Sequence, residues 1–228
     1  MNLIELTNKF KVLVQKPSKT KQELELQQEL GNRIEKALNE ELEPLIYELK
    51  KLGLNVSSIW DLVNSKKKYS NAIDILINHL NKAYSDKNKE GIVRALAVKE
   101  ATGKANEFLF DEYDKTPKEK SMLRWTIGNT IQSIATTKDI DRILSIVQNK
   151  ENGTSRQMFV LTLGKLKSTK GEDILIKLLD DDEVNLHALK ALSKIKSPKA
   201  INKINELTKH PNTIIKKEAL LVLKKILN

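Results

Sequence analysis

A period of about thirty residues runs through the second half of the chain and constrains its fold more than any other feature. Val93, Leu123, Ser155, Val184 and Ile215 share one register position, at successive offsets of 30, 32, 29 and 31 residues. Four residues further on stand Ala97, Ile127, Phe159, Ala188 and Ala219, and eight further on stand Ala101, Ile131, Leu163, Leu192 and Leu223. The eleventh position reads Lys104, Ile134, Leu166, Ile195 and Ile226, so only the first unit departs from an apolar pattern. Offsets of 0, 4, 8 and 11 lie along one side of a helix, which gives every unit a stripe that must be covered.

A second stripe precedes each of these segments or falls between them. It is carried by Ile73, Ile77 and Leu80; by Ile140, Ile143, Leu144 and Val147; by Leu175, Leu178 and Leu179; and by Ile201, Ile204 and Leu207. Two amphipathic helices per period make a helical hairpin. Turn formers fall where the chain must reverse, at Ser168-Thr169-Lys170-Gly171, Ser197-Pro198 and His210-Pro211-Asn212. With only 8 Gly and 5 Pro in 228 residues, the chain is poor in the turn formers of an all-β fold. One hairpin leaves apolar surface bare, and stacking several in register covers it. The expectation is therefore an all-α solenoid of about five helical hairpins over residues 70–228.

The segments Leu123-Arg124 through Ile134 and Ser155-Arg156 through Leu166 resemble the second helix of HEAT and PBS-lyase-type repeats. The shared pattern is an aliphatic-Arg start and a small-residue end, here with Gly164 where neighbouring helices approach; Gln132, Ser193 and Lys224 replace it elsewhere. The resemblance covers roughly residues 70–228 and implies a HEAT-like solenoid. It also implies that the Arg ties one repeat to the next through a nearby Asp.

Residues 1–69 are less regular and form an N-terminal helical cap or irregular repeat in this reading. Leu30, Ile34, Leu38, Leu42, Leu45, Leu49 and Leu52 suit a long helix, but Gly31 and Pro44 argue for interruption, with a break expected near Pro44. Gly53 is a candidate C-cap, Ile59–Val63 a short helix, and Trp60 a buried residue.

Charge points outward to partners. Lys and Arg exceed Asp and Glu by 40 to 30, an excess that attracts phosphates and acidic proteins. From Val184 to Asn228 ten Lys face two Glu, a net of +8, whereas Gln22–Leu49 carries −6 and Gly171–Glu183 carries −5. No cysteine is present, which removes disulfides, thiolate metal sites and cysteine nucleophiles. Glu5 interrupts any signal-like apolar run and no segment suits a membrane span, so a cytoplasmic location is expected. The Lys-, Ile- and Asn-rich composition suits an AT-rich bacterial genome.

One residue after the register point the chain reads Arg94, Arg124, Arg156, Asn185 and Lys216, a polar ladder suited to an extended anionic partner. Trp125 with Asn129 one turn on, and Gln157 at the place equivalent to Trp125, add a hot-spot composition. The partner-binding set is thus Arg94, Arg124, Trp125, Asn129, Arg156 and Gln157. Lys66, Lys67, Lys68, Lys216, Lys217, Lys224 and Lys225 are candidate phosphate contacts.

Catalytic material is thin. His79, His187 and His210 are isolated, and His79 and His187 lie in helical patterns that suit packed or rim positions. There is no phosphate loop or nucleophile elbow, and Asp180-Asp181-Asp182-Glu183 lacks the pattern of a calcium loop and suits a solvent-facing, N-capping turn. No metal or cofactor is expected. The leading expectation is a non-catalytic scaffold for a protein or peptide. Sequence-indifferent nucleic-acid binding is the alternative. Bacterial glycosylases for alkylated bases are similar in architecture and positive charge, but they depend on a cluster of Trp with an Asp and an Arg; here only Trp60, beside Asp61, and Trp125 are present.

Overall fold

Capping boxes start the first helices. Asn2, Thr20 and Ser58 each accept a backbone N–H from the following turn, and Glu5, Glu23 and Asp61 return the bond to the cap backbone. The computed structural model describes residues 1–227; Asn228, the last residue of the expected repeat range, lies outside the described residues. Those residues form α-helices and short 3₁₀ turns. They divide into two compact units, 1–91 and 92–228. The boundary at residue 70 comes from the repeat pattern rather than from compactness, and it stays a proposal.

The first unit holds α1 (Leu3–Gln15), α2 (Lys21–Lys51), α3 (Ile59–Val63), α4 (Ile73–Leu80) and most of α5 (Asp86–Ala95). Leu6 and Leu13 of α1 pack on Leu30 of α2, with Phe10 and Ile34 beside them. The expected break at Pro44 is absent, since α2 runs unbroken through it. Pro44 faces solvent, so water can reach the carbonyl its missing N–H would have bonded, and Leu42, Leu45, Ile46 and Leu49 are buried around it. Burial of four aliphatic side chains at about 1.5 to 3 kcal/mol each outweighs a proline cost of about 3 kcal/mol. Gly53 ends the helix at φ +79°, as expected of its C-cap, and its N–H bonds the Lys50 carbonyl.

The second unit continues with α6 (Asn106–Lys115), α7 (Ser121–Ile134), α8 (Ile140–Gln148), α9 (Gln157–Lys165), α10 (Glu172–Lys177), α11 (Asn185–Ile195), α12 (Ile201–Leu207) and α13 (Thr213–Leu227). These pair as hairpins, α6 with α7, α8 with α9, α10 with α11 and α12 with α13. The second helices also pack on one another in the order α7, α9, α11, α13, which is the stacking of an α-solenoid. The buried stripes are those of the period: Leu123, Ile127, Ile131 and Ile134 in α7, and Phe159 and Leu163 in α9.

The first unit of the period is the exception. Val93 lies near the end of α5, not at the start of a helix, and no helix runs from it to Lys104. Gly103 turns the chain at φ +75°, and its N–H is held by Asn106 Oδ1 at 3.0 Å.

The repeat also shows in how helices end. Lys167 and Lys196, 29 positions apart, both adopt left-handed backbone, at φ 50° and 57°. The next N–H in each case, from Ser168 and Ser197, returns to the carbonyls of Leu163 and Leu192.

Candidate partner-binding face

The arginine ladder is resolved by burial. Arg124 in α7 is 4 % exposed, and its Nη1 donates to the carbonyls of Tyr113 and Thr116, both at 2.8 Å. Its Nη2 donates to Asn152 Oδ1 at 2.6 Å, and the guanidinium lies 3.8 Å from the centre of the Tyr113 ring. Arg156 is fully buried. Its Nε donates to the Gly153 carbonyl at 3.0 Å, Nη1 to Asp181 Oδ2 at 2.9 Å and Nη2 to Glu183 Oε2 at 2.8 Å.

These contacts correct the expectation for two rungs. Arg124 and Arg156 have their guanidinium groups turned inward, each gathering main-chain carbonyls and side chains of neighbouring turns. Arg156 does what the family resemblance implied and ties its repeat to Asp181 of the next. Of the remaining rungs, Asn185 is buried and donates to Asp182 Oδ1 at 3.3 Å, Lys216 is exposed, and Arg94 is half-buried, with Nη2 3.5 Å from Thr126 Oγ1.

The structure brings together another part of the set. Trp125 is half-buried, and its indole Nε1 donates to Gln157 Oε1 at 3.3 Å. Gln157 Nε2 in turn donates to the Glu183 carbonyl at 2.9 Å, so one chain of bonds links α7, the start of α9 and the turn before α11. Asn129 and Leu161, one turn beyond Trp125 and Gln157, are also partly exposed. Lys165 was missed by sequence reasoning: its ammonium donates to the carbonyls of Gln132 and Ser133 at the end of α7. A cation on a helix C-terminus is favourable, while burial lowers the pKa of Lys165 below the ordinary lysine value. The signal available in the sequence was its place ten residues beyond Ser155, between the stripe positions Leu163 and Leu166 but off the stripe.

The acidic turn before α11 is not a free solvent-facing cluster. Asp181 and Glu183 hold Arg156, and Asp180 pairs with Lys203 at 2.7 Å. Asp61, beside Trp60, is occupied in capping: it accepts from Ser57 N at 2.7 Å and Ser58 N at 2.9 Å, and these bonds hold its pKa below the ordinary aspartate value. Trp60 is half-buried rather than buried, with the Lys87 ammonium 4.4 Å from its ring centre. Lys66, Lys67 and Lys68 are exposed between α3 and α4, and Lys216, Lys217, Lys224 and Lys225 are exposed on α13. Among the described residues no His, Asp or Glu group has the clustering of a metal site. No helix among them is long and apolar enough to cross a membrane.

His79 is fully buried in α4. Its ring contacts Tyr84 Oη at 2.6 Å, Glu48 Oε1 at 3.2 Å and Lys82 Nζ at 3.0 Å. Burial lowers its pKa below 6.5, Glu48 opposes that shift and Lys82 adds to it. His187 is shifted the same way, by burial and then by Lys190. In the unfolded chain both rings bind protons near pH 6.5, so between that value and their lower folded values the unfolded state holds more protons. Stability should therefore be full above neutral pH and fall as pH drops below about 6.5. Thermal melts from neutral to mildly acidic pH should show this loss, and His79→Gln should flatten the slope; an unchanged slope would remove His79 from the account.

Residues 140–224, from α8 into α13, match the family model of HEAT repeats. No curated protein matches the chain.

Proposed function

From the premise that residues 140–224 are HEAT repeats, we propose that this chain is a non-catalytic scaffold that holds a protein or peptide on the wall of its second helices. HEAT repeats commonly mediate protein interaction, and the finer assignment rests on the row made by Trp125 and Gln157. An indole held by one hydrogen bond and left half-exposed offers a rigid apolar surface at low entropic cost. Asn129 and Leu161 extend that row with one polar and one apolar contact, and Arg94 lies on α5 with its own link to α7. Arg124 and Arg156 are outside the contact set, since their task is to hold the repeats together.

The test is selection of peptides against the immobilised protein, followed by fluorescence anisotropy of the selected sequence. Trp125→Ala should weaken binding by at least about tenfold, as expected of a truncated aromatic hot spot. Undiminished affinity in a folded Trp125→Ala variant would dismiss this face.

The second reading, sequence-indifferent nucleic-acid binding, is favoured by one observation, the exposure of Lys216, Lys217, Lys224 and Lys225 along a single helix. Binding of labelled DNA or RNA that persists at physiological salt and drops on their replacement would move this reading ahead. Loss of binding with modest salt in every case would leave the peptide scaffold in front.

A further inference from the structure

The last helix carries a surface that the scaffold reading does not use. α13 packs on α11 and α12 through Ile215, Ala219 and Val222. Its other side exposes Ile214 at 61 %, Leu220 at 52 %, Leu221 at 56 % and Leu227 at 69 %. At 100° per residue, Ile214, Lys217, Leu221 and Lys224 follow one another along that side, and Leu220 and Leu227 flank them. A helix face with four bare aliphatic side chains between exposed lysines is an interaction surface rather than a solvated one.

The chain also contains a surface of opposite character. On α2, Asn32, Glu35, Lys36, Asn39, Glu40 and Glu43 line a shallow open groove along one side of the helix. Three carboxylates face a single lysine there. The charge balance matches: +8 over Val184–Asn228 against −6 over Gln22–Leu49.

We propose that this chain associates head to tail with a second copy of itself, the face of α13 in one copy seating on the acidic groove of α2 in the next. Lys217 and Lys224 meet Glu35 and Glu43, while Leu220 and Leu221, which lie between those lysines, cover the stretch of α2 between the two carboxylates. Two different patches meet, so the contact is heterologous and each added copy leaves one free patch of each kind. Complementary charge sets register and rate, and the aliphatic contacts keep the partners together.

Sedimentation velocity on the whole chain over a range of concentrations tests the proposal. The wild type should form species that grow with concentration and shrink with added salt. Lys217→Glu with Lys224→Glu in one variant, and Glu35→Lys with Glu43→Lys in a second, should each weaken association by at least about tenfold through like-charge contact. An equimolar mixture of the two should recover association, because the intact α13 of one meets the intact α2 of the other and the two reversed patches are again opposite in charge. Leu221→Ser should weaken it with all charges kept. All substituted side chains are exposed, so helix content and melting should be unchanged. A wild type that stays monomeric at every concentration overturns the proposal. Association that survives both reversals, or that fails to return on mixing, does so too.

Discussion

Replacing Arg156 by methionine should lower the unfolding free energy by about 3 kcal/mol, near the lower end of what removing one member of a buried ion pair costs. Methionine fills much of the same volume, so the loss is mainly of hydrogen bonds. The guanidinium is fully buried and serves two carboxylates, of Asp181 and Glu183, together with the Gly153 carbonyl. Asp181 keeps only 11 % of its side chain exposed, so its charge would be left in a poor solvent; Glu183, at 47 %, can recover water. That asymmetry places the cost below the top of the range. Arg156→Lys should recover only part of it, because one ammonium does not span two carboxylates and a carbonyl in the geometry of a planar fork. Urea denaturation checks this: the midpoint should fall while the slope stays constant. A change below about 0.5 kcal/mol would be ordinary for a surface site and would mean that the inter-repeat tie carries little.

The same arginine shows where sequence reasoning reached and where it stopped. The helical hairpins were legible because apolar side chains recur at the helical period and the unit recurs about every thirty residues. Asp181 and Glu183 lie 25 and 27 residues beyond Arg156, close to one repeat, so the tie was implied by the family resemblance. Burial of Arg124 was harder to see. Its charge reads as surface, yet two of its acceptors are main-chain carbonyls of Tyr113 and Thr116, which leave no mark in the sequence. The misplaced first unit had a visible warning in Gly103, which turns the chain where the period required helix. Val93, Ala97 and Ala101 shared the apolar spacing by coincidence of a helix end and a turn. Pro44 misled in the other direction, since a proline on the wet side of a helix with a well-covered apolar side is tolerated. The row proposed for binding was legible as a pairing of Trp125 with Gln157 at equivalent register positions, and their hydrogen bond is the structure's addition.

Gly164→Ala should destabilise the protein by about 2 kcal/mol, the order of cost for an extra methyl in a closed packing site. The direction is the informative part, because alanine in a helix interior is ordinarily favoured over glycine by about 1 kcal/mol. A Cβ at position 164 would lie 2.5 Å from the Cα of Ala191, 2.9 Å from its Cβ and 3.0 Å from its carbonyl oxygen. Those atoms belong to α11 itself, so no side-chain rotation relieves the contact and α9 and α11 must separate. Separation loosens Phe159, Leu163, Ala188 and Leu192, all fully buried on the two helices. Ala191→Gly in the same chain should not restore stability, since the nearest atom is the main-chain Cα rather than the methyl. Gly91 is a comparable case: a Cβ there would meet Ile59 Cγ2 at 2.5 Å, the branch methyl of a fully buried β-branched side chain whose Cγ1 and Cβ follow at 3.5 and 3.6 Å. Gly91→Ala should therefore also destabilise. Melting curves of the two variants and of the double variant at Gly164 and Ala191 decide the matter. If Gly164→Ala melts higher than the wild type, the close approach of the second helices is not what holds the stack in register.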